Sequence, residues 1–184
     1  PWTGGRLSGL LDFRDFAVAP GSRRGVLLDE AAEAFARTVE TVLAPAAVAV
    51  DSRGTRVLVA NQGANNVTVI DTFLNRVVST VQVEPGPVHM AVDPNPGVDR
   101  AYVASPSSPL MSVVSASSGQ VVRRLNVGLG AVASLPDQLA NRLFVVKGTQ
   151  NRVTLFDTAL NVEIGGFAVG RGPHRIALDP DRDK

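Results

Sequence analysis

Two histidines are the first residues in this sequence whose chemistry suggests a site. His89 and His174 are the only histidines among 184 residues, and an imidazole can bind a metal ion or the iron of a haem near neutral pH. No cluster of Asp or Glu accompanies either of them. We therefore predict that both form hydrogen bonds and that there is no metal site, with ligation of a metal or a haem as the alternative.

The familiar catalytic motifs are missing from the sequence. It has no nucleophile elbow, phosphate-binding loop, His-Glu-x-x-His motif or pair of catalytic carboxylates. It also has no Cys, which excludes disulfides, thiolate zinc sites and Cys nucleophiles within these residues. We therefore name no catalytic or cofactor-binding residue, predict no cofactor, and favour a protein that is not an enzyme.

Aspartates recur where apolar runs end. Asp71 and Asp157 close the runs Val-Ile-Asp-Thr and Leu-Phe-Asp-Thr. A carboxylate at such a position can accept hydrogen bonds from backbone N–H groups two residues further on. A metal or acid site is the functional alternative, but each Asp recurs with its repeat, which favours a structural role. We predict turn caps here, and likewise at Asp51, Asp93 and Asp179.

These residues belong to a repeat of 42–44 positions. A short apolar run that leads into a turn occurs four times, at 48–51, 90–93, 132–135 and 176–179. The first three are each followed by three more runs rich in Val, Ile, Phe, Tyr and Thr, with Gly, Pro, Asn, Asp and Ser between them. This composition is typical of strands joined by turns.

Four strands in a unit of this length predict an all-β fold, a β-propeller built from four-stranded antiparallel blades. Apolar and polar residues alternate at 66–69 and 152–155, as expected for strands whose two faces differ. A β-helix would have a much shorter period, and an immunoglobulin-like sandwich would not repeat.

The repeat resembles the YVTN-type β-propeller family over about residues 45–179. The second runs read Leu-Val-Ala-Asn, Tyr-Val-Ala-Ser and Phe-Val-Val-Lys, two of the third runs end in Asp-Thr, and two links contain Gly-Pro. The middle unit departs from this pattern, with Ser115-Ala116 and Gly130-Ala131 in place of Asp-Thr and Gly-Pro. The resemblance implies a periplasmic, cell-surface or secreted protein, related to lactonase and haem d1 propellers.

The links between repeats predict the domain boundaries. We expect an N-terminal arm at 1–15 and a propeller at 16–184, with about four blades present. The propeller divides into an imperfect blade at 16–45, blades at 46–87, 88–129 and 130–173, and the first strand of a further blade at 174–184. Propellers have roughly 4–8 blades, so we favour a fragment of a larger propeller over a closed four-bladed ring.

Antiparallel strand order places the links between blades and the loops between second and third strands at one rim. Propellers commonly bind ligands at this rim, by analogy with other members of the fold. The candidate binding residues predicted to lie there are Asn61, Gln62, His89, Ser105, Lys147, His174 and Arg175.

Composition narrows the range of partners. The chain has 18 basic and 17 acidic residues, so it has no basic surplus for nucleic acid, and no apolar run reaches the roughly 18–20 residues of a membrane span. We predict a protein-binding or scaffold propeller in a larger assembly, with other protein chains as partners and any small-molecule ligand left open. The alternatives are a lactonase-like or haem-d1-like redox propeller, and the passive propeller domain of a longer c-type cytochrome polypeptide.

Overall fold

A computed structural model describes residues 44–137 and 141–177, which form twelve strands and one short 3-10 turn at Gly148–Gln150. The strands make three four-stranded antiparallel sheets, here called blades 1 to 3. Blade 1 consists of β1 Pro45–Val50, β2 Arg56–Asn61, β3 Asn66–Asp71 and β4 Arg76–Gln82. Blade 2 consists of β5 His89–Val92, β6 Ala101–Ala104, β7 Leu110–Ser115 and β8 Gln120–Asn126. Blade 3 consists of β9 Ala131–Asp137, β10 Arg142–Lys147, β11 Arg152–Asp157 and β12 Val162–Ala168.

The predicted all-β propeller architecture is confirmed. Each blade follows chain order from its first to its fourth strand. The arm predicted at 1–15 and nearly all of the imperfect blade predicted at 16–45 lie outside the described residues. Of the predicted strand at 174–184, only residues 174–177 are described, and they are not in a strand. Within the described ranges, no helix has the length and apolar character needed to cross a membrane.

The first strand of each blade lies innermost, because β5 contacts both β1 and β9. Apolar side chains fill the space between neighbouring blades. Leu58 and Val69 of blade 1 pack with Val103 of blade 2 in one cluster, and Met111 of blade 2 packs with Leu143 of blade 3 in the next. Each fully buried side chain of this kind contributes about 1.5–3 kcal/mol relative to an exposed one. Neighbouring blades are therefore held together by apolar side chains from both of them, and blade 2 contributes to a core on each of its two faces.

The fourth strand of each blade carries an irregularity at the same place. The register of the ladder slips between Val69 and Ile70, between Val113 and Val114, and between Leu155 and Phe156. The unpaired residues on the outer strands are Val78, Val122 and Ile164, and all three are exposed. A bulge twists an outer edge and hinders pairing with another chain, so the outer edges of the blades are protected in the same way.

Candidate functional site

The rim predicted from strand order exists, and we call it the upper rim. It consists of the turns after β2, β6 and β10 with the links that precede β1, β5 and β9. Backbone bonds join turn-side and link residues in all three blades: Gln62 N to Ala44 O at 2.8 Å, Val88 N to Ala104 O at 2.9 Å, and Gly148 N to Gly130 O at 3.0 Å. Five of the seven candidate residues lie in or beside these turns and links. His174 and Arg175 follow β12, in a segment that comes close to the turn after β10, because Pro173 O lies near Gly148.

Asn61 is the last residue of β2 and Ser105 directly follows β6. Both side chains are buried and form hydrogen bonds within the propeller. Asn61 Nδ2 donates to Asn66 Oδ1 at 2.6 Å and to Thr68 Oγ1 at 2.9 Å. Ser105 Oγ donates to Glu84 O, in the link from blade 1, at 3.0 Å. These two side chains therefore hold the turns and links in place rather than facing solvent.

Lys147, at the end of β10, is buried as well. Its ammonium donates to three successive carbonyls of the link from blade 2, those of Val127, Gly128 at 2.7 Å and Leu129 at 3.2 Å. Burial lowers the pKa of Lys147 to about 8, although the charge of Glu163 opposes that shift. Lys147 therefore ties blade 3 to the link that enters it.

His89 is half-buried beside the innermost strand of blade 3. Ser134 N donates to His89 Nδ1 at 3.4 Å, so the neutral ring carries its proton on Nε2. Burial, and to a smaller degree the positive charge of Arg175, lowers the pKa of His89 below its ordinary value. The imidazole is thus neutral at pH 7. The structure brings His89 and Arg175, from separate repeats, into electrostatic range of each other.

Gln62, His174 and Arg175 are exposed at the upper rim. The His174 Nδ1 atom lies 3.3 Å from Gly172 O. Across residues 44–137 and 141–177, no group of three or more His, Cys, Asp or Glu could hold a metal ion. The rim therefore offers neutral and cationic hydrogen-bonding groups for a polar surface.

One repeated bond at this rim was not anticipated from the sequence. Asn65 Oδ1 accepts from Gly86 N at 2.8 Å, and Asn151 Oδ1 accepts from Gly172 N at 2.9 Å. Both asparagines have left-handed φ, 55° and 52°, which Asn tolerates better than most residues. The sequence does contain a signal for this bond, namely an Asn that precedes a Gly by 21 positions in both repeats.

The predicted turn caps at Asp71 and Asp157 are confirmed. Asp71 Oδ1 accepts from Phe73 N at 2.9 Å and Leu74 N at 2.8 Å, and Asp157 Oδ1 makes the two equivalent bonds, both at 2.8 Å. Arg56 Nη1 also lies 2.6 Å from Asp71 Oδ2. These contacts, with the Leu74 hydrogen bond as the largest cause, lower the pKa of Asp71.

Blade 2 caps the equivalent turn by other means. Ser115 replaces the Asp, and its Oγ accepts from Ser118 N at 3.1 Å. The missing carboxylate is supplied by Asp99, whose Oδ2 accepts from Ser115 Oγ at 2.6 Å and whose Oδ1 accepts from Ala116 N at 2.9 Å. The departure of the middle unit from the repeat is therefore compensated from an upstream loop.

The opposite rim, which we call the lower rim, carries exposed apolar side chains. It consists of the loops after β1, β5 and β9 with the turns after β3, β7 and β11. Phe73 is 89% exposed and Leu74 50% exposed in blade 1, and Leu160 is 71% exposed in blade 3. The corresponding turn of blade 2 carries Ser117 and Ser118, both exposed. Two apolar turns thus flank a polar one on the same rim.

No family model and no curated protein matches this chain, so the YVTN resemblance stays a prediction. Solved structures do match. Hydrazine synthase of Kuenenia stuttgartiensis has a TM-score of 0.67 and 22% identity, over 74% of this chain and 39% of the matched chain.

Two further structures have the same type of fold. Apo AztD from Citrobacter koseri matches with a TM-score of 0.55 and 16% identity, over 65% of this chain and 33% of the other. U3-55K matches with a TM-score of 0.58 and 13% identity, over 68% and 39%. This chain thus spans between a third and two fifths of each matched chain. At these identities the likeness concerns the fold alone, and it agrees with the blades described above: the chain has a β-propeller fold.

Proposed function

We propose that this chain is a non-enzymatic β-propeller that binds another protein chain and serves as a scaffold subunit or domain of a larger assembly. The observation that carries the proposal is the pair of apolar turns at the lower rim. Isolated exposed apolar residues are common on proteins. Phe73 and Leu160 have the highest exposure of the large apolar side chains that the structure describes, at 89% and 71%, and they lie in equivalent turns on one rim. We take these two turns as parts of one contact surface for another protein chain.

The upper rim supports this proposal by how its polar groups are used. The polar side chains that are buried at this rim donate their hydrogen bonds to other groups of the propeller. They are Asn61, Ser105 and Lys147. A catalytic or cofactor site needs polar groups that converge on open space. The groups at this rim that are open to solvent come from separate repeats: Gln62 follows β2, and His174 and Arg175 follow β12.

We also propose that blades 1 to 3 form an arc of a larger ring. The innermost strands of blades 1 and 3 both contact that of blade 2. Beyond blade 3, Ile176 packs with Phe144 and Val169 against a third buried cluster, as the first strand of a following blade would. The extracytoplasmic location is proposed from the family resemblance.

The redox alternative makes a different prediction for the native protein. A haem or metal on His89 or His174 would give an absorbance band or a stoichiometric metal content. We expect neither, because His89 Nδ1 already accepts a bond from Ser134 N, which leaves the ring proton on Nε2. A stoichiometric haem or metal in the purified native protein would favour the alternative.

The lower rim can be tested by a matched pair of variants in the native host. A Phe73→Ser, Leu160→Ser double variant removes the apolar turns, and Leu129→Ser removes an apolar side chain of the upper rim that is 54% exposed. We expect the double variant to co-purify without the partner that accompanies the wild-type protein in fixed ratio, with an unchanged melting temperature. The Leu129 variant should keep that partner. Retention of the same partner at the same ratio by the double variant would refute the proposal.

A further inference from the structure

A cleft of about 230 Å³ lies between blade 2 and blade 3, near the lower rim. Its polar side is formed by Arg100, Tyr102, Arg123 and Thr158. A cavity of about 150 Å³ is already large enough to hold benzene. The cleft therefore has room for a small organic molecule as well as for water.

The phenol of Tyr102 is the most telling group in this cleft. Tyr102 is 1% exposed, and its Oη atom makes no hydrogen bond of good geometry within the described part of the chain, although the side chains of Arg100 and Thr158 lie close enough to act on its pKa. A buried polar atom without a partner costs about 1–3 kcal/mol, so native proteins nearly always satisfy such groups with protein, water or a ligand. Burial raises the pKa of Tyr102, so the phenol keeps its proton and can donate it to an acceptor in the cleft.

Arg100 lacks the carboxylate partner that the corresponding arginine of blade 1 has. Arg56 occupies the same position in blade 1 and pairs with Asp71 at 2.6 Å. In blade 2 the position of Asp71 is taken by Ser115, and Arg100 has no carboxylate within salt-bridge distance in the part of the chain that the structure describes. The charge of Asp93 interacts electrostatically with Arg100.

Arg123 adds a second guanidinium to the cleft. Arg123 corresponds to Ser79 of blade 1, because each of them directly follows the bulge residue of its outer strand. Ser79 carries no charge, and its Oγ donates to Gly119 O at 2.8 Å. Arg123 Nη1 donates to Thr158 O at 3.0 Å. A guanidinium has several N–H donors, so this one bond does not use all of them. Among the residues that the structure describes, the lining of the cleft therefore holds two guanidiniums and no carboxylate, so it carries an excess of positive charge.

The remaining wall of the cleft is aliphatic, formed by Val113, Val122 and Leu125. The corresponding cleft between blades 1 and 2 has a different character, because the carboxylates of Asp51 and Asp99 line it beside Arg53, Arg56 and Arg100. Of these two clefts, only the one between blades 2 and 3 combines two guanidiniums with an aliphatic wall and no carboxylate in its described lining.

We propose that this cleft binds a small organic carboxylate with a short aliphatic chain. The carboxylate accepts hydrogen bonds from Tyr102 Oη and from the guanidiniums of Arg100 and Arg123, since a guanidinium suits a carboxylate in geometry and charge. The aliphatic chain lies against Val113 and Leu125. The cleft adjoins the lower rim through Thr158, but ligand binding is measured on the isolated chain, so the two proposals are tested separately.

The test is a methyl NMR titration of the folded chain with butyrate, butyramide and inorganic phosphate. We expect butyrate to shift the methyl signals of Val113, Val122 and Leu125 with saturation, and butyramide, which lacks the charge, to leave them in place. Phosphate should compete weakly because it cannot use the aliphatic wall. An absence of saturable shifts with butyrate, equal shifts with butyramide, or tighter binding of phosphate would overturn the proposal.

Variants identify the residues that hold the carboxylate. Tyr102→Phe removes only the phenol oxygen, and Arg100→Gln removes one guanidinium; each should weaken butyrate binding about tenfold, as expected for a lost hydrogen bond to a charged group. Arg76→Gln, an equal change of charge at an exposed position of blade 1, should leave binding unchanged. Equal affinities for all three variants would overturn the assignment, and the wild-type titration decides the matter if a variant does not fold.

Discussion

At the scale of single residues, Asp71 shows that a side chain which resembles a catalytic acid can be structural. Its carboxylate accepts two backbone bonds and faces Arg56. The sequence predicted this role because the same Asp recurs with its blade. The roles of Asn61 and Lys147 were not predictable, because their partners depend on how a turn or a link packs against the strand end.

Replacing Asp71 with Ala should lower the free energy of unfolding by about 0.5–2 kcal/mol, as for a lost capping side chain. The pKa of Asp71 is below its ordinary value of 3.8. Its contribution is therefore complete above that value and is lost as pH falls through the lower, folded-state pKa. Urea unfolding of wild type and Asp71→Ala between pH 2 and 7 measures both effects. Binding that is lost while unfolding is unchanged would instead make Asp71 a site residue.

Lys147 predicts a pH dependence in the alkaline range. Its pKa falls from 10.5 in the unfolded chain to about 8 in the folded protein. Between these values the unfolded chain binds the additional proton, so Lys147 makes stability rise with pH over that interval. Urea unfolding of wild type and Lys147→Met across the interval from about pH 8 to 10.5 should show the rise only in the wild type. Since Lys184 is the only other lysine, a direct Nζ titration is also practicable, and a Lys147 pKa above 10 would contradict the prediction.

At the scale of elements, turns and links are joined by the Asn–Gly bonds. Asn151 combines a left-handed φ of 52° with a bond to Gly172 N, and two substitutions separate these effects. Asn151→Gly keeps the conformation and loses the bond, which costs about 0.5–1.5 kcal/mol. Asn151→Ala loses both and should cost a further 1–2 kcal/mol or so for the left-handed backbone. Thermal unfolding of the two variants tests this order, and equal losses would show that the backbone conformation is not strained.

Elements could be predicted from the sequence where the interactions that form them are local in the chain. The 42–44-residue period predicted the blades because turn residues and β-branched runs act within one blade. The rim followed from antiparallel order alone. The Asp99 cap of blade 2 could not be predicted, because Asp99 lies in a loop whose contact with Ser115 exists only in the folded blade. The cleft around Tyr102 likewise arises from two blades together.

At the scale of the whole molecule, the inner strands and alternating cores explain why blades associate in sequence. Each of the two cores between neighbouring blades draws on both of them, so those faces are buried only when the blades associate. The apolar lower-rim turns lie outside these cores. They are free to contact another chain without disturbing the packing between blades.

The most direct test of the proposed protein contact is hydrogen–deuterium exchange of the native assembly compared with the isolated chain. We expect amides 72–75 and 158–161 of the lower-rim turns to exchange more slowly in the assembly, while 62–65 and 148–151 of the upper rim remain unchanged. Unchanged exchange at both lower-rim turns, with slower exchange around His89, Ser134 and Arg175 instead, would contradict the proposal and place the contact at the inner strands.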